Sequence, residues 1–458
     1  MDPEKEKRQQ TLKVLFAETL MVLTAITLVV VLVLIVSGYW IDENFEVARS
    51  GMLQVSSSPT GATVKIDEDV LSQRTNTSRV IPTGTHVVTL QKDGYDSWSK
   101  EISIKEGLLY QLRYPRLFLE EREVEKTPLD FVATKASISP KRDQMLLMNT
   151  TSKWALINLD DTRGELKSLD LTKLLPSGYA GEILSAEWSR DEKRILIGMR
   201  FEPDKTSWLL IDLTDILRSV DLSSEFGVGF SRVVFANDSG DSLLALRNQN
   251  LQQINLNNKS ISAILVEKVS QYYQYGDNVI FVAEDEADQG YVGRIRLNKS
   301  DVETMLKLDN LNAKAFFGKF YDNEYLMVVS GNKASVYLKD DYEKAVYTYE
   351  LSFEPSVAKL GGFGEYLLMN NDIKMATLDM ESETLREWEI ESPNFGWLDD
   401  NMIYIVNNNE LIVYDFDGLN RRTIAQNVSG SFPATITSDK WLYYISDNNL
   451  VREWLVRK

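Results

Sequence analysis

The sequence predicts an all-β body carried behind one membrane-spanning helix. Three observations lead there. An uncharged apolar run fills 19–41. Between 51 and 119, Pro/Gly/Asp turns separate stretches in which apolar and polar residues alternate. From 120 to 458, a strand–turn–strand unit recurs at intervals of about 35–50 residues, the period of a propeller blade rather than of a helical solenoid.

The apolar run, "TLMVLTAITLVVVLVLIVSGYWI", is apolar on every face, as a helix in lipid must be. At 1.5 Å per residue it reaches roughly 30 Å, the thickness of the hydrocarbon layer. Tyr39 and Trp40 at its end suit the headgroup level. Lys5, Lys7, Arg8 and Lys13 precede it, and Asp42, Glu43 and Glu46 follow. That bias predicts a cytoplasmic tail over 1–18, a transmembrane helix over 19–41 and an extracytoplasmic remainder. Val36-Ser37-Gly38 offers small residues for signal-peptide cleavage, but the run exceeds the usual h-region of about 7–15 residues, which favours an uncleaved anchor.

The next segment, 51–119, reads as a small β-domain of short strands and turns. Leu53 and Val55 alternate before Pro59-Thr60-Gly61, and Ala62, Val64 and Ile66 alternate after it, which predicts a hairpin. Pro82-Thr83-Gly84 turns again. His86, Val88 and Leu90 alternate, Asp93-Gly94 closes a second hairpin, and Tyr95 and Trp98 offer aromatic packing. These residues, with Lys92 and Gly94-Tyr95, resemble the PEGA domain, with Thr60 where the namesake glutamate stands. The resemblance implies a small extracytoplasmic β-sandwich over 51–119, a cell-envelope accessory domain without catalysis.

Beyond it, "ASISPKRDQMLLMN" and "SAEWSRDEKRILIGM" open two similar units, and "NFGWLDDNMIYIVN" and "ATITSDKWLYYIS" two later ones. Each has two apolar strands about a polar turn, and most continue into a third strand, as in "WALINLDD" or "LIVYDFDG". No blade buries both faces alone, so stacking must complete the core. Eight units are legible, with seven as the alternative. The last shows three strands, and "EREVEK" ahead of the first can supply its fourth. The turns of "SISPKRDQ" and "AEWSRDEK", and the segment "YDFDGLNRRTI", resemble TolB-like and WD-like propellers.

Composition narrows function mostly by exclusion. The chain has no cysteine, one histidine and a net charge of −18. Thiol chemistry, Fe–S clusters and Cys-ligated zinc are excluded. An acidic body repels nucleic acid and anionic headgroups. His86, alone on an alternating strand, reads as a strand residue with a hydrogen-bonded tip. Glu284, Asp285, Glu286 and Asp288 could together hold Ca²⁺, but their spacing is not that of an EF-hand, and the stretch reads as a solvated hairpin. Asp417-Gly418 within Asp415–Gly418 reads as a turn dipeptide. There is no Walker loop, dinucleotide fingerprint or HExxH. The sequence therefore nominates no catalytic, cofactor-binding or metal-binding residue. It points to a non-catalytic envelope protein that binds or scaffolds a protein or wall polymer. The alternative is a surface glycan-active hydrolase using paired propeller carboxylates.

Overall fold

The computed structural model describes residues 3–36, 39–41, 47–150, 153–159, 166–175, 181–202, 205–297, 301–309, 312–320, 323–361, 364–390, 392, 394–429 and 432–456. Side chains are described for 15–33 and from 49 onward, apart from 202 and 205. The chain divides into two compact units, Met1–Glu121 with Val456–Lys458, and Arg122–Leu455.

The first unit opens with a 34-residue helix, Pro3–Val36. Its stretch Leu15–Val33 is long and apolar enough to cross a membrane. All of its side chains are exposed. Thr19, Thr24 and Thr27 donate their hydroxyl protons to the carbonyls of Leu15, Leu20 and Leu23 at 2.7–2.9 Å, which satisfies them without water. The helix ends earlier than the apolar run predicts. Tyr39–Ile41 is a short strand paired with 47–49, so Tyr39 and Trp40 do not close the helix. Tyr, Trp and Ile favour a pleated strand once a partner strand is available.

Two four-stranded sheets follow. In one, Val47–Val55 pairs with Tyr39–Ile41, antiparallel with Thr77–Pro82 and parallel with Leu109–Leu112. The other runs Asp69–Arg74, Thr63–Ile66, Gly84–Gln91, Trp98–Ile104. Their inward faces meet in a core of Leu53, Val55, Val64, Val88, Leu90 and Trp98, all at most 1% exposed. The expected hairpin through Pro59-Thr60-Gly61 does not form. The strands carrying Leu53 and Ala62/Val64/Ile66 lie in opposite sheets, and 56–61 crosses between them. The crossing is held from outside itself: Ser56 N and Ser58 N donate to the carbonyls of Leu112 and Pro115, and Gly61 N to that of Thr75. Alternation fixes which face is buried, but two strands facing one core from opposite sheets alternate just as a hairpin does. The second hairpin does form, with Leu90 opposite Trp98.

Among the described residues, the second unit holds eight four-stranded antiparallel sheets, the blades: 1 (135–170), 2 (182–221), 3 (232–261), 4 (269–308), 5 (314–350), 6 (357–389), 7 (395–426) and 8 (435–454). Blade 8 takes its fourth strand from Val124–Pro128, which pairs antiparallel with Asn449–Trp454. The middle strands hold unbroken apolar runs rather than alternating ones because both faces are buried there. In Arg194–Glu202, Ile195, Ile197 and Met199 pack toward blade 1, and Leu196 toward blade 3.

Bonds and contacts between neighbouring blades run around the whole circle. Trp188 Nε1 of blade 2 donates to Ser137 Oγ of blade 1 (3.0 Å), and Phe235 N of blade 3 to Glu187 of blade 2 (3.3 Å). Gln274 Nε2 reaches Ala236 O (2.7 Å), Phe317 N reaches the Tyr273 hydroxyl, and Lys314 Nζ reaches Ser356 O. Tyr366 stacks with Trp397, Ile436 N donates to Leu398 O (3.0 Å), and Thr437 Oγ1 donates to Arg142 O (2.5 Å), which closes the ring. Three of these eight links join two first strands, and three more join a first strand to the residue next to one, so the first strands converge on the axis.

The repeated turns have a common build. Ser139 accepts from Gln144 N at 3.1 Å and Ser189 from Arg194 N at 2.9 Å, each through its hydroxyl, and both serines are buried. Three residues on, Arg142 and Glu192 adopt φ of 59° and 60°. That left-handed position is where the propeller resemblance would place glycine.

Candidate binding site

A cavity of about 360 Å³ opens on the first strands of blades 2–4. Its lining includes Glu187, Trp188, Arg232, Phe235, Tyr273 and Gln274. Each side chain is placed by a rigid strand and held by a neighbour. Trp188 is fixed through Ser137, and Gln274 donates to Ala236 O and Gly276 O. The Arg232 guanidinium lies 5.2 Å from the ring centre of Tyr272, whose hydroxyl donates to Arg232 O at 3.0 Å.

Two lining groups have displaced titrations: burial raises the Tyr273 hydroxyl, and Glu187 is the acid among them. Burial pushes its carboxyl above the usual range, while the Phe235 N–H and the Arg232 charge pull it down. At the rim, Arg190 and Asp238 pair at 3.2 Å in solvent, where such a pair contributes little. The cavity thus offers a half-buried acid, the exposed guanidinium of Arg232 and aromatic faces, with the Arg190–Asp238 pair at its rim. It suits a polar ligand with an apolar body.

The sign of the Glu187 effect is testable. A raised folded-state value means that the native state holds a proton the unfolded chain releases, so stability falls as pH rises through that window. Glu187→Gln keeps an acceptor for Phe235 N–H and removes the charge. Its melting temperature is expected to equal wild type at low pH and to exceed it at pH 8, as differential scanning calorimetry will show. A lower value at pH 8 contradicts this reading.

The residues singled out from sequence lie elsewhere. His86 places Nδ1 2.8 Å from Asp67 Oδ2 and Nε2 2.9 Å from Pro82 O, so both ring nitrogens face acceptors. Val87 N–H, followed by His86, holds the Asp67 carboxyl below its ordinary value. In the acidic hairpin, Lys268 Nζ meets Asp288 at 2.5 Å, and Asp285 accepts from Ala287 N and Gln289 N of its own turn. Among the described residues, no group of three or more His, Asp or Glu converges as a metal site. Asp417-Gly418 is a turn: Gly418 has φ 77° and donates to Asp415 O, and a Cβ there would meet the Trp388 ring at 2.5 Å. Glu187, Arg232 and Tyr273 escaped sequence reasoning. Their signal was polar and charged residues on strands that open otherwise apolar units.

Comparison with known proteins separates the two units. Residues 50–115 match the PEGA domain. The match covers the sandwich and none of the propeller. No curated protein is similar in sequence across the chain. Among solved structures, the C-terminal WD40 domain of Sif2 aligns at 11% identity, covering 74% of this chain and 100% of that one, with a TM-score of 0.49. The β-propeller domain of Cps50 (Swd1) from Myceliophteria thermophila aligns at 13% identity over 74% and 100%, with a TM-score of 0.42. The dihydro-heme d1 dehydrogenase NirN, in complex with DHE, aligns at 12% over 75% and 72%, with a TM-score of 0.44. The chain carries a PEGA-domain match at 50–115, eight four-stranded sheets among the described residues after it, and one apolar helix near its N-terminus.

Proposed function

We propose that this chain is a non-catalytic binding or scaffolding protein of the cell envelope. The helix anchors it in the membrane with the N-terminus inside. The propeller outside presents its inner cavity to a protein or wall polymer. The observation that carries the reading is the cavity itself: Glu187, Arg232 and Tyr273 stand on strands tied to their neighbours on both sides, so they are preorganised to hold a ligand. The alternative, a surface glycan-active hydrolase, is favoured by one feature, the raised carboxyl of Glu187, which suits a general acid. It would need a second carboxylate across the substrate.

Protease added to intact cells tests the topology, and crosslinking on those cells tests the binding. The expected result is digestion of the sandwich and propeller without lysis, together with a discrete crosslinked adduct that Arg232→Glu weakens about tenfold or more. Protection of the propeller until cells are broken overturns the reading. Glycan cleavage by the purified chain that Glu187→Gln abolishes would establish the alternative.

A further inference from the structure

The first sheet of the sandwich has one face against the core and, among the described residues, one that nothing covers, and that outer face is not uniformly polar. Met52 pairs directly with Val80 on one side and Leu109 on the other, so the three form an apolar row across three strands. Leu108 adjoins it, accepting a hydrogen bond from Met52 N through its carbonyl. Met52, Leu108 and Leu109 are 45%, 57% and 47% exposed, whereas the inward neighbours Leu53 and Leu112 are fully buried. One step along the same face the row becomes polar: Gln54 sits opposite Ser78 and Gln111.

Chain connectivity says what lies nearby. The helix ends at Val36, three residues before Tyr39, which caps their separation at about 11 Å. Tyr39 pairs antiparallel with Arg49. Running from Arg49 to Met52 therefore follows the same direction as running from Tyr39 back toward the helix. The strand that carries the apolar row returns toward the end of the apolar helix, and Gln54 and Ser56–Ser58 continue past Met52. Upright strands would drive those polar residues and their backbone into hydrocarbon, which an open sheet cannot tolerate.

We propose that this sheet lies along the membrane surface and sets the Val80–Met52–Leu109 row into the headgroup boundary of a phospholipid layer. The inference rests on the anchoring role of the helix. An apolar row needs no lipid charge, so the acidic body does not oppose it on a zwitterionic surface. The sandwich then adds a second contact with the bilayer to that of the helix.

The absence of cysteine makes the test direct. Leu109→Cys, Leu28→Cys in the helix and Val302→Cys on the propeller are each labelled with an environment-sensitive fluorophore. The full chain is then reconstituted in phosphatidylcholine vesicles, with and without acyl-brominated lipid. The expected result is strong quenching at 28, quenching at 109 at least about twofold that at 302, and a blue shift at 109. Quenching at 28 with 109 no different from 302 overturns the proposal and leaves the anchor standing. No quenching at 28 removes the anchor, and the proposal with it. A blue shift at 109 that grows with protein density, without quenching by lipid, assigns the row to a second copy and also overturns it.

Discussion

Arg122→Ala is expected to destabilise the propeller by about 3–5 kcal/mol, the usual cost of leaving one member of a buried ion pair alone. Arg122 stands just before the closing strand. Its Nε meets Glu453 Oε2 at 2.7 Å, and its Nη2 donates to Ile424 O at 2.6 Å. The Glu453 side chain is 5% exposed and also accepts from the Tyr444 hydroxyl at 2.5 Å. Without Arg122, a buried carboxylate keeps only a neutral partner. The loss falls where the ring closes, because Val124–Pro128 is the only strand joining the start of the propeller chain to its last blade among the described residues. Chemical denaturation measures the size, and amide exchange measures the place: protection should drop first in 124–128 and 449–454. Arg190→Ala, which breaks the solvent-exposed pair with Asp238, serves as the comparison and should cost under about 1 kcal/mol. Replacing both partners, Arg122→Met with Glu453→Leu, should recover most of the loss. If Arg122→Ala behaves like Arg190→Ala, the closure does not depend on the pair.

The ring was legible in the sequence for a physical reason. Each blade repeats the same local solution, so a buried serine at the head of a turn and an apolar strand after it recur as letters, as at Ser139 and Ser189. The closing strand was legible too, because a unit with three strands requires a fourth from elsewhere. What alternation does not encode is the partner of a strand. Leu53 and Val64 point into one core from opposite sheets, and only the bonds of 56–61 to Leu112, Pro115 and Thr75 distinguish that crossing from a hairpin. The helix end was misplaced for a related reason: Tyr39–Ile41 is apolar enough for lipid and equally suited to a strand, and the partner strand at 47–49 decides. The cavity was the least legible part. Glu187, Arg232 and Tyr273 stand on three separate blades, far apart in the chain, and no local pattern joins residues that meet only when blades stack.

Trp98→Ala tests the other unit, and the expected loss is again about 3–5 kcal/mol, here from a cavity. Trp98 is fully buried, stands opposite Leu90 on the neighbouring strand, and meets the Tyr114 ring edge-on at 6.0 Å and 73°. Its core draws on both sheets, with Leu53 and Leu112 from one and Val64 and Leu90 from the other. Both sheets are four strands of short length, so neither has a second core to fall back on. Losing the indole leaves a void that these small aliphatic neighbours fill only by moving the sheets together, which the crossing at 56–61 restrains. Amide exchange over 84–104 is the decisive measurement, because the signal then comes from the sandwich alone. Faster exchange there, with the propeller strands unchanged, is the expected outcome. Trp98→Phe should recover about half, since a smaller ring still fills part of the space. Exchange in 84–104 as slow as in wild type would mean that the sandwich does not rest on this side chain, and that the aromatic at this position serves some other purpose than holding two sheets together.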